Sequence, residues 1–457
     1  MSWQGKTVLV LGLGESGLAI VRWLAREGAM LRVADSRQYP PSLDALARIA
    51  PDAEVVLGPF QLALLDDVDA VAISPGLDPR NTVVEVARER RIPVTGEIQI
   101  FVDALEALGQ RAATRLIAIT GTNGKTTTTT LAAALCAATG LDAVAAGNIS
   151  PATLNVLLDR LEQGQRLPDC WVLELSSFQL ETVSRLHADV AAVLNVTDDH
   201  LDRYDSIDDY VAAKARALAD ARVRVLNRDD ARVRMLCQAE VSFGLGAPAR
   251  EGDYGWANGF LMRGHSPLIA GSELALKGLH NVANALAALA LCEAVGCPLP
   301  ALVAALRDFR GLPHRVEPIA QRDDGVTYFD DSKGTNVGAT VAALEGLGRK
   351  VVLIAGGDGK GQDFSPLAPA VRAHARAVIL IGRDAGRIQA VLADAGVPVE
   401  YAEDLPRAVL RADALACDGD AVLLSPACAS FDMFRSYVHR AEVFVEAVRA
   451  LPRVEAL

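Results

Sequence analysis

Two kinds of hydrophobic pattern alternate along the chain. Short runs rich in Val, Ile, Leu and Ala end in glycine, serine or acidic residues. Each leads into a longer stretch with apolar positions three and four apart. The first kind reads as buried strands, the second as helices that bury one face. Strands are predicted at residues 7–11, 30–33 and 71–74, then at 116–119, 143–147, 171–175 and 190–196. Four more follow at 326–329, 351–355, 377–381 and 421–424. Strands alternating with helices build parallel sheets covered on both faces, so the predicted fold class is α/β. At 457 residues the chain is too long for one core. Its punctuation suggests three domains, at 1–110, 111–312 and 313–457. The run Gly311-Leu312-Pro313-His314-Arg315 interrupts the helical pattern at the second border.

The strand ends carry the candidate chemistry. At 116–130 a buried strand meets Gly121-Thr122-Asn123-Gly124-Lys125-Thr126-Thr127, and a helical pattern follows. Backbone N–H groups and the positive end of a helix dipole face such a loop, so an anion is stabilised there. Lys125 would reach the terminal phosphates of a nucleotide, and the Thr126 hydroxyl a Mg²⁺. The layout is that of a P-loop ATPase-like sheet, although Ile119 stands where the full pattern has one more glycine. Upstream, Gly12-x-Gly14-x-x-Gly17 follows the first strand and Asp35 ends the second. That is a Rossmann-like opening for a nucleotide diphosphate. The alternative is that Asp35, Ser36 and Arg37 only terminate a strand. Pro75-Gly76 places another tight turn at the same sheet edge.

Further residues join these. Glu174 lies near the end of an apolar strand, which is costly unless Mg²⁺ or an arginine neutralises it. His200 stands among Asp198, Asp199 and Asp202 at another strand end, where α/β sheets bind ligands. Lys214, taken from the residues alone, is a surface lysine. Asn281 and Asn284 share one helical face, suited to gripping a base or ribose or to capping. In the last segment, also Rossmann-like, Lys333, Lys360 and Ser430 follow strands and offer donors to carboxylates or phosphates.

Composition narrows the partners. Hydrophobic residues make up 51% and charged residues 22%, which fits a globular chain. A formal charge of −12 without a basic stripe argues against nucleic acid. Seven cysteines show no zinc spacing, so buried thiols in a reducing cytoplasm are expected in place of disulfides. No apolar run reaches membrane-spanning length, and the N-terminus enters a strand without a signal peptide.

The motifs also form an ordered set. Gly-Thr-Asn-Gly-Lys-Thr, Leu-Glu-Leu-Ser-Ser-Phe-Gln-Leu-Glu, Asn-Val-Thr-Asp-Asp-His-Leu-Asp-Arg-Tyr, His-Asn-x-x-Asn-Ala, Leu-Pro-His-Arg, Asp-Ser-Lys-Gly-Thr-Asn, Gly-Gly-Asp-Gly-Lys and Ser-Pro-Ala-Cys-Ala-Ser-Phe-Asp occur in sequence. Together they resemble the Mur ligases of peptidoglycan synthesis, over nearly the whole chain. The resemblance implies a cytoplasmic, monomeric, ATP-dependent amide ligase. It would join D-glutamate to UDP-N-acetylmuramoyl-L-alanine through an acyl phosphate.

It also implies roles. Lys125, Glu174, His200 and Lys214 would be catalytic, with two Mg²⁺ held by Thr126, Glu174, His200 and a CO₂-derived carbamate on Lys214. ATP would meet Gly121, Thr122, Asn123, Gly124, Lys125, Thr126 and Thr127, and also Asn281, Asn284, His314, Arg315, Asp331 and Lys333. The UDP substrate would meet Glu15, Ser16, Asp35, Ser36, Arg37, Gly76, Asn148 and Ser176. Thr335, Lys360, Ser430, Phe431 and Tyr437 would hold glutamate. Phe431 and Tyr437 depart from the residues common in the family, Leu and Phe. L-glutamate is the alternative substrate. A Rossmann-type NAD(P) oxidoreductase is the alternative of another class, and it leaves Lys125 and Glu174 unexplained.

Overall fold

A computed structural model of the protein describes residues 2–200, 203–276, 278–311, 314–359 and 362–457. Lys360, Leu312 and Pro313 of the predicted linker, and Asp202 beside His200 lie outside the described residues. The chain forms two compact units, residues 1–270 with 284–307, and residues 271–283 with 308–457.

The first unit contains two parallel sheets. One has β1 (Thr7–Leu11), β2 (Met30–Asp35), β3 (Glu54–Leu57), β4 (Ala70–Ile73) and β5 (Val94–Thr95), in the order β3-β2-β1-β4-β5. The order reverses between β1 and β4, so a crevice opens at their carboxyl ends, where the glycine loop leaves β1. The glycines there answer to space. A Cβ on Gly17 would lie 1.9 Å from the Gly12 carbonyl oxygen, so helix Glu15–Arg26 packs this closely only without a side chain.

The other sheet has β6 (Arg115–Thr120), β7 (Ala143–Gly147), β8 (Cys170–Glu174), β9 (Val190–Val193), β10 (Val223–Asn227) and β11 (Val241–Phe243), in the order β11-β10-β9-β6-β8-β7. β8 and β9 are buried throughout, and β6 at all but its first residue, which is why they read as unbroken apolar runs. Both sheets share one core. Phe101 of helix Glu97–Ala107 meets Trp171 of β8 edge-on at 4.7 Å. Arg22 reaches across to Asn155 (2.8 Å) and Asp159 (2.9 Å) on helix Thr153–Glu162.

A small antiparallel sheet follows, with β12 (Tyr254–Ala257), β13 (Phe260–Arg263) and β14 (Ser266–Ala270). The sequence pattern did not announce these short strands. Their signal is Asn258-Gly259, both at positive φ (51° and 81°), a two-residue hairpin turn.

The second unit holds β15 (Glu317–Arg322), β16 (Thr327–Asp330), β17 (Val351–Gly356), β18 (Ala375–Ile381), β19 (Val399–Tyr401), β20 (Ala421–Leu424) and β21 (Val454–Ala456). Their order is β19-β18-β17-β20-β16-β15-β21. The central strands are parallel with a hydrophobic core on each face. β15 pairs antiparallel with β16 and β21, an edge that the doubly wound expectation lacked. Among the described residues no helix is long and apolar enough to cross a membrane.

Candidate active site

The Gly-Lys-Thr loop joins β6 to helix Lys125–Ala138. Gly121 (φ 153°) and Gly124 (φ 79°) make its bends. Its shape is locked from the neighbouring strand end. The Asn195 side chain accepts from the Asn123 N–H (2.8 Å) and donates to the Asn123 carbonyl (3.0 Å). Thr122 Oγ1 donates to the Thr197 carbonyl (3.2 Å) and lies 3.2 Å from the Tyr210 hydroxyl. Asn284 supports the start of the helix, accepting from Thr128 Oγ1 at 3.3 Å. Lys125 Nζ donates to the carbonyls of Gly121 (2.9 Å) and Thr122 (2.8 Å), which curls it over the loop.

Two buried charges flank this loop. Glu174, the last residue of β8, pairs in register with Ile119 of β6, two residues before Gly121 of the loop. It is 2% exposed. One carboxylate oxygen accepts from Asn148 Nδ2 at 2.7 Å, and the other has no hydrogen-bond partner. An orphaned buried carboxylate oxygen is costly, and a cation removes the cost. The unpartnered Glu174 oxygen therefore suits a divalent cation as its partner.

Lys214 is the second buried charge. It is 1% exposed, which overturns the reading of a surface lysine. Its Nζ donates to the same Gly121 carbonyl at 2.8 Å and lies 4.3 Å from the Tyr210 ring centroid. Burial, and then the charge of Lys125, push its ammonium well below the usual lysine range. Its neutral form is therefore more accessible than that of an exposed lysine. The ring of His200 lies 6.2 Å from that of Tyr210 and 4.7 Å from that of Phe178.

At the crevice of the first sheet, Asp35 is buried and fully engaged. It accepts from the Leu13 N–H at 2.7 Å and from the Arg37 guanidinium at 2.7 and 2.8 Å. Burial alone would raise its carboxyl. Arg37 and the Leu13 N–H outweigh that and hold it at about 2. Glu15 faces the second sheet, accepting from Ser150 Oγ (2.7 Å) and the Ala152 N–H (3.0 Å). Ser36 and Gly76 are exposed, and Ser16 is half-buried. Ser176 caps helix Ser177–Leu180 in a capping box with Gln179.

In the second unit the turn after β16 gathers several predicted residues. Asp331 is buried and accepts from Ser425 Oγ at 2.6 Å, and burial lifts its carboxyl to about 7. His314 Nδ1 lies 2.6 Å from Asp330 Oδ2. His314, Glu317 and Asp330 offer ligand atoms within 4.8 Å of one another, but that hydrogen bond already joins two of the three. Lys333 Nζ sits 4.0 Å from the Tyr437 ring centroid. Ser430 is buried, whereas Phe431 is 72% exposed. Thr335 is half-buried and its N–H is spent on the Lys333 carbonyl (2.9 Å). Asn281 is buried in this unit, where burial and then Arg315 depress the adjoining His280 to about 4.

Sequence reasoning passed over three residues. Tyr210 lies four positions before Lys214 on helix Ile207–Ala215, hence on one face with it. Asn195 follows β9 and opens the Asn-Val-Thr-Asp-Asp-His motif, whose chemistry pointed to the acids and His200 and not to its first residue. Arg440 is buried three residues beyond Tyr437. It donates to Ser332 Oγ (3.0 Å), the Ser332 carbonyl (2.8 Å) and the Cys428 carbonyl (3.2 Å), splicing the turns after β16 and β20. Burial lowers its guanidinium to about 10.

Comparison with known proteins places these features in a family context. Residues 6–96 match the Mur ligase MurD-like N-terminal domain, 119–292 the Mur ligase middle domain, and 314–428 the Mur ligase glutamate ligase domain. The chain is 60% identical over 460 residues to a UDP-N-acetylmuramoylalanine--D-glutamate ligase from Aromatoleum aromaticum, covering 99% of each. It is 54% identical to the protein of the same name from Dechloromonas aromatica, over 99% of this chain and 100% of that one. Among solved structures, MurF from Acinetobacter baumannii aligns with a TM-score of 0.58 at 17% identity, over 97% of this chain and 91% of that one. UDP-N-acetylmuramate-alanine ligase MurC from Thermotoga maritima gives 0.56 at 20%, over 97% and 99%. At such identities these two speak for the fold alone.

Proposed function

Since the chain belongs to the Mur ligases, we propose that its candidate site joins D-glutamate to UDP-N-acetylmuramoyl-L-alanine, with ATP converted to ADP and phosphate. The carrying observation is the Gly-Lys-Thr loop beside Glu174, a buried carboxylate with one oxygen unpartnered. Full-length relatives at 60% and 54% identity carry the name of this reaction.

The chemistry needs such a site. A carboxylate is a poor electrophile, so the substrate's alanyl carboxylate must first gain a leaving group. Its oxygen attacks the γ-phosphorus, and the bond to the ADP oxygen breaks. The glutamate amine then attacks the acyl carbon, loses a proton, and phosphate departs. Both steps crowd anions together, which the helix N-terminus and Lys125 offset. Lys125 would exchange the Gly121 and Thr122 carbonyls for the terminal phosphate. Bound Mg²⁺ would neutralise and orient the phosphates. In our reading Thr126 and Glu174 hold one ion, and His200 and Lys214 the other.

An ammonium cannot ligate a metal. The depressed Lys214 amine can add CO₂, forming an N–C bond and losing a proton, which yields an anionic carbamate. Glu15, Ser16, Asp35, Ser36, Arg37 and Gly76 are assigned to the UDP moiety, with Asn148 and Ser176 nearer the sugar-peptide. Asp35 would act there mainly by fixing Arg37 and the Leu13 amide. Asn281, Asn284, His314, Arg315, Asp331 and Lys333 are assigned to ATP, and Thr335, Lys360, Ser430, Phe431 and Tyr437 to glutamate. We assign the enzyme to the cytoplasm, where a nucleotide-linked precursor and ATP coexist, and expect a monomer.

The test is an ADP-release assay. ADP should appear in amounts matching product only when UDP-N-acetylmuramoyl-L-alanine and D-glutamate are both present. Equal turnover with L-glutamate, or with an unrelated amino acid, would contradict the substrate assignment.

A further inference from the structure

The diphosphate crevice and the His200 loop are bolted together by two arginines that the reaction chemistry does not use. Arg203 comes three residues after His200, and its N–H donates to the His200 carbonyl at 2.9 Å. Its side chain is only 9% exposed. One guanidinium nitrogen donates to the Pro75 carbonyl (3.2 Å), in the turn that follows β4 and contains Gly76. Another donates to Glu181 Oε2 at 2.5 Å, and the third, Nε, is buried without a partner. The guanidinium carbon lies 4.1 Å from the Phe178 ring centroid, the same ring that His200 meets edge-on at 4.7 Å. Outside this buried link is an exposed one. Arg80 donates to Asp78 on its own turn and to Asp205, past the His200 loop, at 2.8 Å.

A guanidinium this buried depends on each acceptor it has. Pro75 supplies one of them from a turn whose next residue, Gly76, is open to solvent with nothing near its Cβ position. A ligand that fixes this turn therefore fixes the acceptor, the guanidinium, the Phe178 ring and the His200 ring in succession.

We propose that Arg203 is a positioning residue that transmits occupancy of the diphosphate crevice to the metal-binding loop, so that the UDP-linked substrate tightens divalent-cation binding. The inference rests on the functional reading above, since it needs a UDP ligand at the crevice and the cation assigned there to His200 and Lys214. Linkage makes the effect reciprocal, so the cation tightens the UDP substrate by the same factor.

The test uses the full chain with a non-hydrolysable ATP analogue. Bound Mn²⁺ is counted by electron paramagnetic resonance, with and without saturating UDP-N-acetylmuramoyl-L-alanine, whose own binding is followed by calorimetry. In the wild type the substrate should tighten Mn²⁺ by about tenfold, within the usual range of coupled sites. Arg203→Lys keeps the charge but not the planar fork, and should reduce the ratio to about one with Mn²⁺ affinity in the absence of substrate preserved. Arg80→Ala is a surface change that leaves the fold intact, and should reduce the ratio at least about threefold. A wild-type ratio in Arg203→Lys, or no tightening in a wild type that binds the substrate, would overturn the inference. A wild type that binds no UDP-N-acetylmuramoyl-L-alanine would overturn the functional reading itself.

Discussion

Replacing Glu174 by glutamine should stabilise the metal-free protein and reduce its gain from Mg²⁺. The carboxylate is 2% exposed and one oxygen has no partner. A buried unsatisfied group costs about 1–3 kcal/mol, more when charged. Glutamine keeps an acceptor for Asn148 and exchanges the unpartnered charged oxygen for a neutral NH₂, so the charge-related share of that cost, about 1–3 kcal/mol, returns as stability. For a unit of this size that is about 2–6 °C in melting temperature. The wild type should recover the difference when the ion binds, since a ligand at 100 times its Kd adds about 2.7 kcal/mol. Thermal melts of both proteins, with and without Mg²⁺ and ATP, read both effects. A Glu174→Gln protein that melts lower without Mg²⁺, or gains as much from Mg²⁺ as the wild type, would refute the reasoning.

Asp331 has a folded pKa of about 7 against an ordinary 3.8. The folded state thus binds its proton more tightly than the unfolded chain, so stability is lost as pH rises from about 4 to 7 and then levels off. Asp331→Asn stays neutral throughout and should gain on the wild type by about 2–3 kcal/mol between pH 5 and pH 8 in urea unfolding, while a pH-independent gap would refute this. Gly17→Ala would bring a methyl within 1.9 Å of the Gly12 carbonyl oxygen and should cost about 3 kcal/mol or leave the protein insoluble. Gly14→Ala, with nothing within 4 Å of its Cβ, should change stability by less than about 0.5 kcal/mol.

The parts of the molecule legible in the sequence are those that obey local rules. β1, β6, β8 and β17 announce themselves because strands buried on both faces are unbroken apolar runs. The Gly-Lys-Thr loop is legible because close backbone approach and positive φ require glycine. Lys214 was not. Its desolvation comes from helix Ile207–Ala215 packing against the loop after β6, and no spacing rule states which face of that helix is buried. Arg440 escaped for a related reason, since its three acceptors come from turns that only the folded sheet brings together. β15 and β21 form an antiparallel edge whose exposed positions blur the alternation. The Asn258-Gly259 hairpin was legible by its turn, but its strands are too short to stand out by hydrophobicity.

The central claim of the proposed function is that Lys125 would offset the charge of the γ-phosphoryl group as it passes from ATP directly to the substrate's carboxylate, which the amine then attacks. Its most direct test is product formation by Lys125→Ala with ATP, UDP-N-acetylmuramoyl-L-alanine and D-glutamate, with circular dichroism to verify the fold. The account predicts a loss of kcat of at least about a thousandfold in a protein whose spectrum matches the wild type. Turnover within about tenfold of the wild type would contradict it.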